Sequence, residues 1–131
     1  MIVDSSVVVA ILALESGARE FAEAIEKARD GRMSVVSYVE AAIVLDSRGN
    51  PALGRRLDDF IREARLVLEP VTVEQARRAR EAYREFGKGR HRAGLNFGDC
   101  FAYALAKDKD EPLLFKGDDF RRTDIEAAEW K

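Results

Sequence analysis

Five acidic residues stand where short apolar runs stop. Asp4 closes Met1-Ile-Val, Glu40 lies one helical turn beyond Met33-Ser-Val-Val36, Asp99 sits in the first turn of the alanine-rich stretch Phe97 to Lys107, and Asp118 and Asp119 follow Leu113-Leu-Phe115. Carboxylates gathered in apolar surroundings repel one another and lose hydration, which raises their pKa values unless a cation compensates. A hard divalent cation with oxygen ligands is the natural partner, and magnesium fits best because it accepts a few carboxylates and keeps several waters. The chain has one histidine, His91, and one cysteine, Cys100, so it offers neither a cysteine–histidine set for zinc nor a two-histidine acid–base mechanism. It also lacks a G-x-S-x-G elbow, a G-x-x-x-x-G-K-[ST] phosphate loop and a G-x-G-x-x-G turn after the first strand. With no side-chain nucleophile in view, the chemistry left is that of water activated by a metal ion.

Each acid has a simpler reading when taken alone. Asp4 suits the N-cap of the helix that follows it. Ser37 and Glu40 have the S-x-x-E spacing of a capping box, and Asn96 and Asp99 have comparable spacing. An acid in a first helical turn complements the macrodipole, and Asp118-Asp119 makes an ordinary turn. Four separate strand-end positions that are all acidic in apolar surroundings go beyond what these readings explain together, and a cap can also be a ligand.

The elements that must position these acids follow from periodicity and breakers. Met1 to Asp4 reads as a buried strand, Val7 to Leu14 as a buried helix, and Ala18 to Ala28 as an amphipathic one. Met33 to Val36 reads as a second strand, with Ser37 capping an apolar helix that runs through Leu45. Asn50-Pro51 starts the next helix with a cap and an N1 proline, and Leu66 to Pro70 is a third strand. Thr72 and Gln75 have capping-box spacing before a helix marked by Ala76, Ala79, Tyr83 and Phe86. A basic loop, Gly87 to Gly94, leads to the central helix Phe97 to Lys107 and the last strand. Strands separated by helices imply a mostly parallel sheet covered on both faces, and in such sheets sites form beyond the carboxyl ends of the strands.

The 131 residues suit one domain spanning 1–131. No apolar run approaches the roughly 20 residues of a membrane span, and the opening lacks the basic leader of a signal peptide. A lone cysteine fits a reducing compartment, so the cytoplasm is the expected location and a membrane is not an expected partner. The net charge of −2 gives no global field for nucleic acid. Arg77, Arg78, Arg80, Arg84, Lys88, Arg90 and Arg92 nevertheless crowd one stretch. Alone this is a solvated helix face and loop; beside a nuclease site it becomes a candidate phosphate-contacting strip.

Four blocks in order make the chain similar to the PIN-domain family, and specifically to its VapC toxin branch. They are Ile2-Val-Asp4-Ser-Ser6; Ser37-Tyr-Val-Glu40; Asn96-Phe-Gly-Asp99-Cys with Phe101-Ala-Tyr103-Ala; and Glu111-Pro-Leu-Leu-Phe-Lys-Gly-Asp118-Asp119-Phe120 with Thr123-Asp124-Ile125. The likeness runs from the first residue to about Ile125. It implies a three-layer α/β/α fold with a mostly parallel sheet, a homodimer, and a magnesium-dependent endoribonuclease (manganese as a substitute) acting on RNA and restrained by a VapB-type antitoxin. In that reading Asp4 and Asp99 are the principal metal ligands. Glu40 and either Asp118 or Asp119 complete the site, and either aspartate fits the family's fourth acid. Ser6 and Asn96 would orient the aspartates, and Lys88, Arg90 and Arg92 are candidates for the RNA backbone.

Two other classes compete. A phosphoacceptor receiver domain shares the length, the parallel sheet and a late lysine, here Lys116, but Glu69-Pro70 stands where its third strand needs an aspartate. A catalytically silent PIN scaffold that only binds partners is the other. A haloacid-dehalogenase-like phosphatase fails because Ser6, not an aspartate, lies two residues beyond Asp4.

Overall fold

The computed structural model describes residues 1–130. Four short strands, β1 (Ile2–Val3), β2 (Arg32–Ser34), β3 (Val67–Glu69) and β4 (Leu113–Leu114), form one parallel sheet in the order β3-β2-β1-β4. Among the described residues six α-helices lie in pairs between successive strands: α1 (Ser5–Leu12), α2 (Ala18–Ala28), α3 (Val35–Asp46), α4 (Pro51–Glu63), α5 (Val73–Phe86) and α6 (Phe97–Lys109). Ile2 pairs with Arg32 on one side and Leu113 on the other, so β1 is central. Beyond β4, Ala127 bridges to Leu113 in parallel and extends the ladder.

Side chains alternate across a strand, and here that alternation separates two cores. Ile2 and Leu113 join Ala79 and Phe86 of α5, Ala102 and Leu105 of α6, and Leu95 between those helices. Val3 and Leu114 face the other way, into Val7, Val8, Phe21, Ile25, Leu45 and Leu57 of α1 to α4. The expected three-layer α/β/α arrangement with a parallel sheet is therefore the observed one.

Several element boundaries differ from the sequence reading. The helix expected from Val7 starts at Ser5, because Asp4 takes the N-cap and accepts a bond from Ser6 N. The second strand ends at Ser34 instead of Val36, and Ser34 caps α3 by accepting from Val36 N at 3.2 Å. Ser37 is thus a buried residue inside the helix and caps nothing. Asn50 caps α4 ahead of Pro51 as expected. Thr72 accepts from Gln75 N at 3.1 Å, but Gln75 Nε2 donates to Asp108 of α6 at 3.1 Å, so half of the expected box ties two helices together instead. Among the described residues no helix is long and apolar enough to cross a membrane.

Leu113 is fully buried on the α5–α6 face. Leu113→Ala removes that packing and leaves a cavity, and should cost about 2–5 kcal/mol in urea unfolding.

Candidate metal centre

Three of the five acids meet beyond the carboxyl end of β1. One carboxylate oxygen each from Asp4, Glu40 and Asp99 can be chosen so that all lie within 4.8 Å of one another. Asp4 follows β1 directly, and its backbone N–H donates to Leu114 O of β4 at 3.0 Å, so the ladder itself sets its place. Its Oδ2 accepts from Ser6 N at 3.1 Å and Ser6 Oγ at 2.6 Å, while Ser6 Oγ accepts from Lys116 N at 3.0 Å. Asp99 arrives on the first turn of α6 in a full capping box: Asn96 N donates to Asp99 Oδ2 at 3.0 Å, and Asp99 N donates to Asn96 Oδ1 at 2.8 Å. Glu40 projects from the second turn of α3, where its Oε1 accepts from Ser5 Oγ at 2.6 Å. With Ser34 as the true cap, Glu40 has no capping work and is free to face the aspartates.

These bonds occupy one oxygen of each acid. Asp4 Oδ1 is sealed from solvent and has no hydrogen-bond partner. An ionised oxygen in that condition costs several kcal/mol unless a cation meets it. Asp4 and Asp99 are only 2% and 9% exposed. Burial pushes Asp4 up to about 6, against the Ser6 hydrogen bonds and with help from the charge of Glu40. Burial also pushes Asp99 up to about 7, and the charges of Asp4, Glu40 and Asp119 add to it. An all-oxygen, strongly acidic cluster with one orphaned buried oxygen fits a hard divalent cation.

Asp118 and Asp119 do not join this group of three. Gly117, at φ +104°, turns the chain outward after β4. Asp118, placed among the metal ligands by the sequence reading, is exposed and faces Arg121 at 3.9 Å. Asp119, also exposed, precedes the short 3₁₀ helix Phe120–Arg122 and is the one whose charge reaches Asp99. Lys88, Arg90 and Arg92 are exposed. Lys88 lines a groove of about 550 Å³ with Asn96 and Phe97, next to the acidic cluster. Arg92 O accepts from Arg122 at 3.1 Å, which ties the basic loop to the segment carrying Asp119.

Two residues that the sequence reading passed over complete the site. Ser5 holds Glu40, and Gly98 lies against it. A glycine inside the first turn of an otherwise alanine-rich helix was the available signal, since glycine weakens a helix without a compensating reason. The receiver-domain alternative finds no support: Lys116 Nζ pairs with Glu15 at 3.2 Å, and Glu69 accepts from Arg32 at 2.8 Å.

The raised carboxyl pKa values have a consequence for stability. The native protein keeps protons that the unfolded chain, with ordinary aspartates near 3.8, has already released. This contribution is complete below about pH 4 and is lost as pH rises through about 6 and 7. Asp4→Asn preserves an N-cap acceptor for Ser6 while removing a charge. Without metal at pH 8 the variant should melt above wild type, roughly 3 °C for each kcal/mol relieved in a chain of this size, and the gap should close toward pH 4. Equal melting curves at pH 8 would contradict the crowding of these carboxylates.

Comparison with known proteins places this geometry. The PIN domain family profile matches residues 1–126. Ribonuclease VapC28 of Mycobacterium tuberculosis is 54% identical over 129 residues, covering 98% of this chain and 97% of that protein. Among solved structures, VapC20 of Mycobacterium tuberculosis, described as a Sarcin-Ricin loop cleaving toxin, superposes with a TM-score of 0.77 at 15% identity and 98% coverage of both chains. A toxin–antitoxin complex from Klebsiella pneumoniae gives 0.70 at 15% identity, covering 94% of this chain and 92% of that one. At such identity the two structures speak for the fold alone. Together with the family match and the sequence relative, they establish that this chain belongs to the PIN-domain family, within its branch of VapC ribonucleases.

Proposed function

We propose that the chain is a magnesium-dependent endoribonuclease and the toxin of a VapBC-type pair. The observation that carries the metal reading is the sealed, partnerless Oδ1 of Asp4, in a carboxylate that clusters with those of Glu40 and Asp99. Asp4 and Asp99 would hold the ion, with Glu40 and Asp119 completing the site. Asp119 is preferred to Asp118 because its charge acts on Asp99 whereas Asp118 faces Arg121. When bound, magnesium supplies positive charge against the scissile phosphate and a nucleophilic water at neutral pH, a role manganese could also fill.

The chain's own groups do the positioning. Ser6 and the Asn96 backbone each hold one oxygen of an aspartate, leaving the other for the ion. Lys88, Arg90 and Arg92 offset the negative site and draw in the RNA backbone. The work would take place in the cytoplasm, where the single cysteine stays reduced.

A VapB-type antitoxin is the proposed restraint, in keeping with the toxin–antitoxin complex that shares the fold. A homodimer is the proposed active form. Val39, Ile43 and Phe97 are exposed apolar residues, and all three line one groove beside Glu40. Water-exposed apolar surface of this kind is a usual site of association.

Purified protein should cut single-stranded or looped RNA with magnesium and not with chelator, leaving 5′-phosphate and 3′-hydroxyl ends. Asp4→Asn should fold and lose cleavage. A 2′,3′-cyclic phosphate product would exclude attack by water, and metal-saturated protein that cuts no RNA would favour the silent scaffold. Neutralising Lys88, Arg90 and Arg92 together should weaken RNA binding and lower the salt slope by roughly one for each phosphate no longer neutralised. An unchanged slope would return them to a solvated loop.

A further inference from the structure

The three clustered acids are not held alike. Asp4 is fixed by the sheet ladder and its cap, and Asp99 by a capping box. Glu40 has a longer side chain, is only half-buried, and has one hydrogen bond, from Ser5 Oγ to Oε1 at 2.6 Å. Ser5 is the first residue of α1 and is itself buried. Gly98, in the first turn of α6, also lies against this carboxylate. A Cβ at Gly98 would stand 2.1 Å from Glu40 Oε2, 2.5 Å from Cδ and 2.7 Å from Oε1, far inside van der Waals contact with the whole carboxylate. Gly98 has no positive φ, so its backbone does not require glycine. The space does.

We propose that Ser5 and Gly98 are paired positioning residues for Glu40. The serine holds one carboxylate oxygen, and the bare glycine leaves the room in which the carboxylate reaches the metal centre. The inference rests on the metal-centre reading above and extends it to two residues outside the acidic set. Consecutive serines thereby divide the work, Ser6 on Asp4 and Ser5 on Glu40. The first turn of α1 sets the spacing between acids that come from different elements. Loss of either feature leaves Asp4 and Asp99 in place and lets Glu40 swing toward solvent.

The test is a calorimetric titration of metal-free protein with manganese, which reads binding without depending on turnover. Ser5→Ala should weaken binding about tenfold, the lower end of what removing a ligand-orienting group costs. Ser5→Thr, which retains the hydroxyl, should recover most of that loss. Gly98→Ala should weaken binding at least as much as Ser5→Ala while circular dichroism shows a folded protein. In a Glu40→Ala background, Ser5→Ala should cost nothing more, because the serine would have no carboxylate left to hold. Wild-type affinity in Ser5→Ala, or an undiminished loss in the Glu40→Ala background, would overturn the positioning role. Asp4→Asn is the control. If it abolishes binding while Ser5→Ala binds normally, only the positioning role fails; if it binds as wild type, the metal centre fails as well.

Discussion

Three carboxylates drawn together out of water set the terms for the rest of this structure. Asp4 and Asp99 are nearly inaccessible, Glu40 closes on them, and burial together with their mutual repulsion pushes the aspartates far above the ordinary carboxylate range. A chain does not hold such a cluster by default. Here each acid is restrained through one oxygen only, by Ser6 and its backbone, by Ser5, or by Asn96. Asp4 and Asp99 also stand at helix N-termini, where the positive end of the macrodipole relieves part of the negative charge. The other oxygens are left to whatever cation neutralises them.

The layered fold is what makes that restraint rigid. β1 lies at the centre of a parallel sheet with its alternating residues in two separate cores, so Asp4 emerges from a strand clamped on both faces and both edges. α3 and α6 then bring Glu40 and Asp99 from opposite layers. In α6 the clustered acid is itself part of the capping box, so the local rule that starts the helix also aims the carboxylate. α3 works the other way. Its cap is Ser34, and the glutamate further along the helix is released from capping to meet the site.

Around the cluster the surface changes character over a short distance. The basic loop from Lys88 to Arg92 is tied by the Arg92–Arg122 bond to the segment that carries Asp119. Phe97 stands 72% exposed between the groove shared with Lys88 and the apolar groove of α3. Cations, an aromatic ring and acids therefore border one another within one stretch of surface. A net charge of −2 conceals this local arrangement, because the sum over a chain says nothing about where charges lie.

Local patterns in the chain were enough for the layered parallel fold and for naming the three acids that it brings together. Apolar runs separated by amphipathic helices admit few other architectures, and Asp4 and Asp99 are marked by a strand end and by capping-box spacing between near neighbours. The same patterns misjudged Ser37, because Ser34 and Ser37 are both residues suited to an N-cap and packing alone decides where the strand stops. They left Asp118 and Asp119 unresolved, since the direction of an exposed turn depends on Gly117 and on the neighbours it meets. Gly98 left one local mark, a glycine in a helical turn, and Ser5 left none; what both do lies in the approach of Glu40 across 35 and 58 residues of chain. Helix and strand tendencies are written in neighbouring residues, but strand pairing and the distance between side chains from different layers are set only when the sheet and helices have packed.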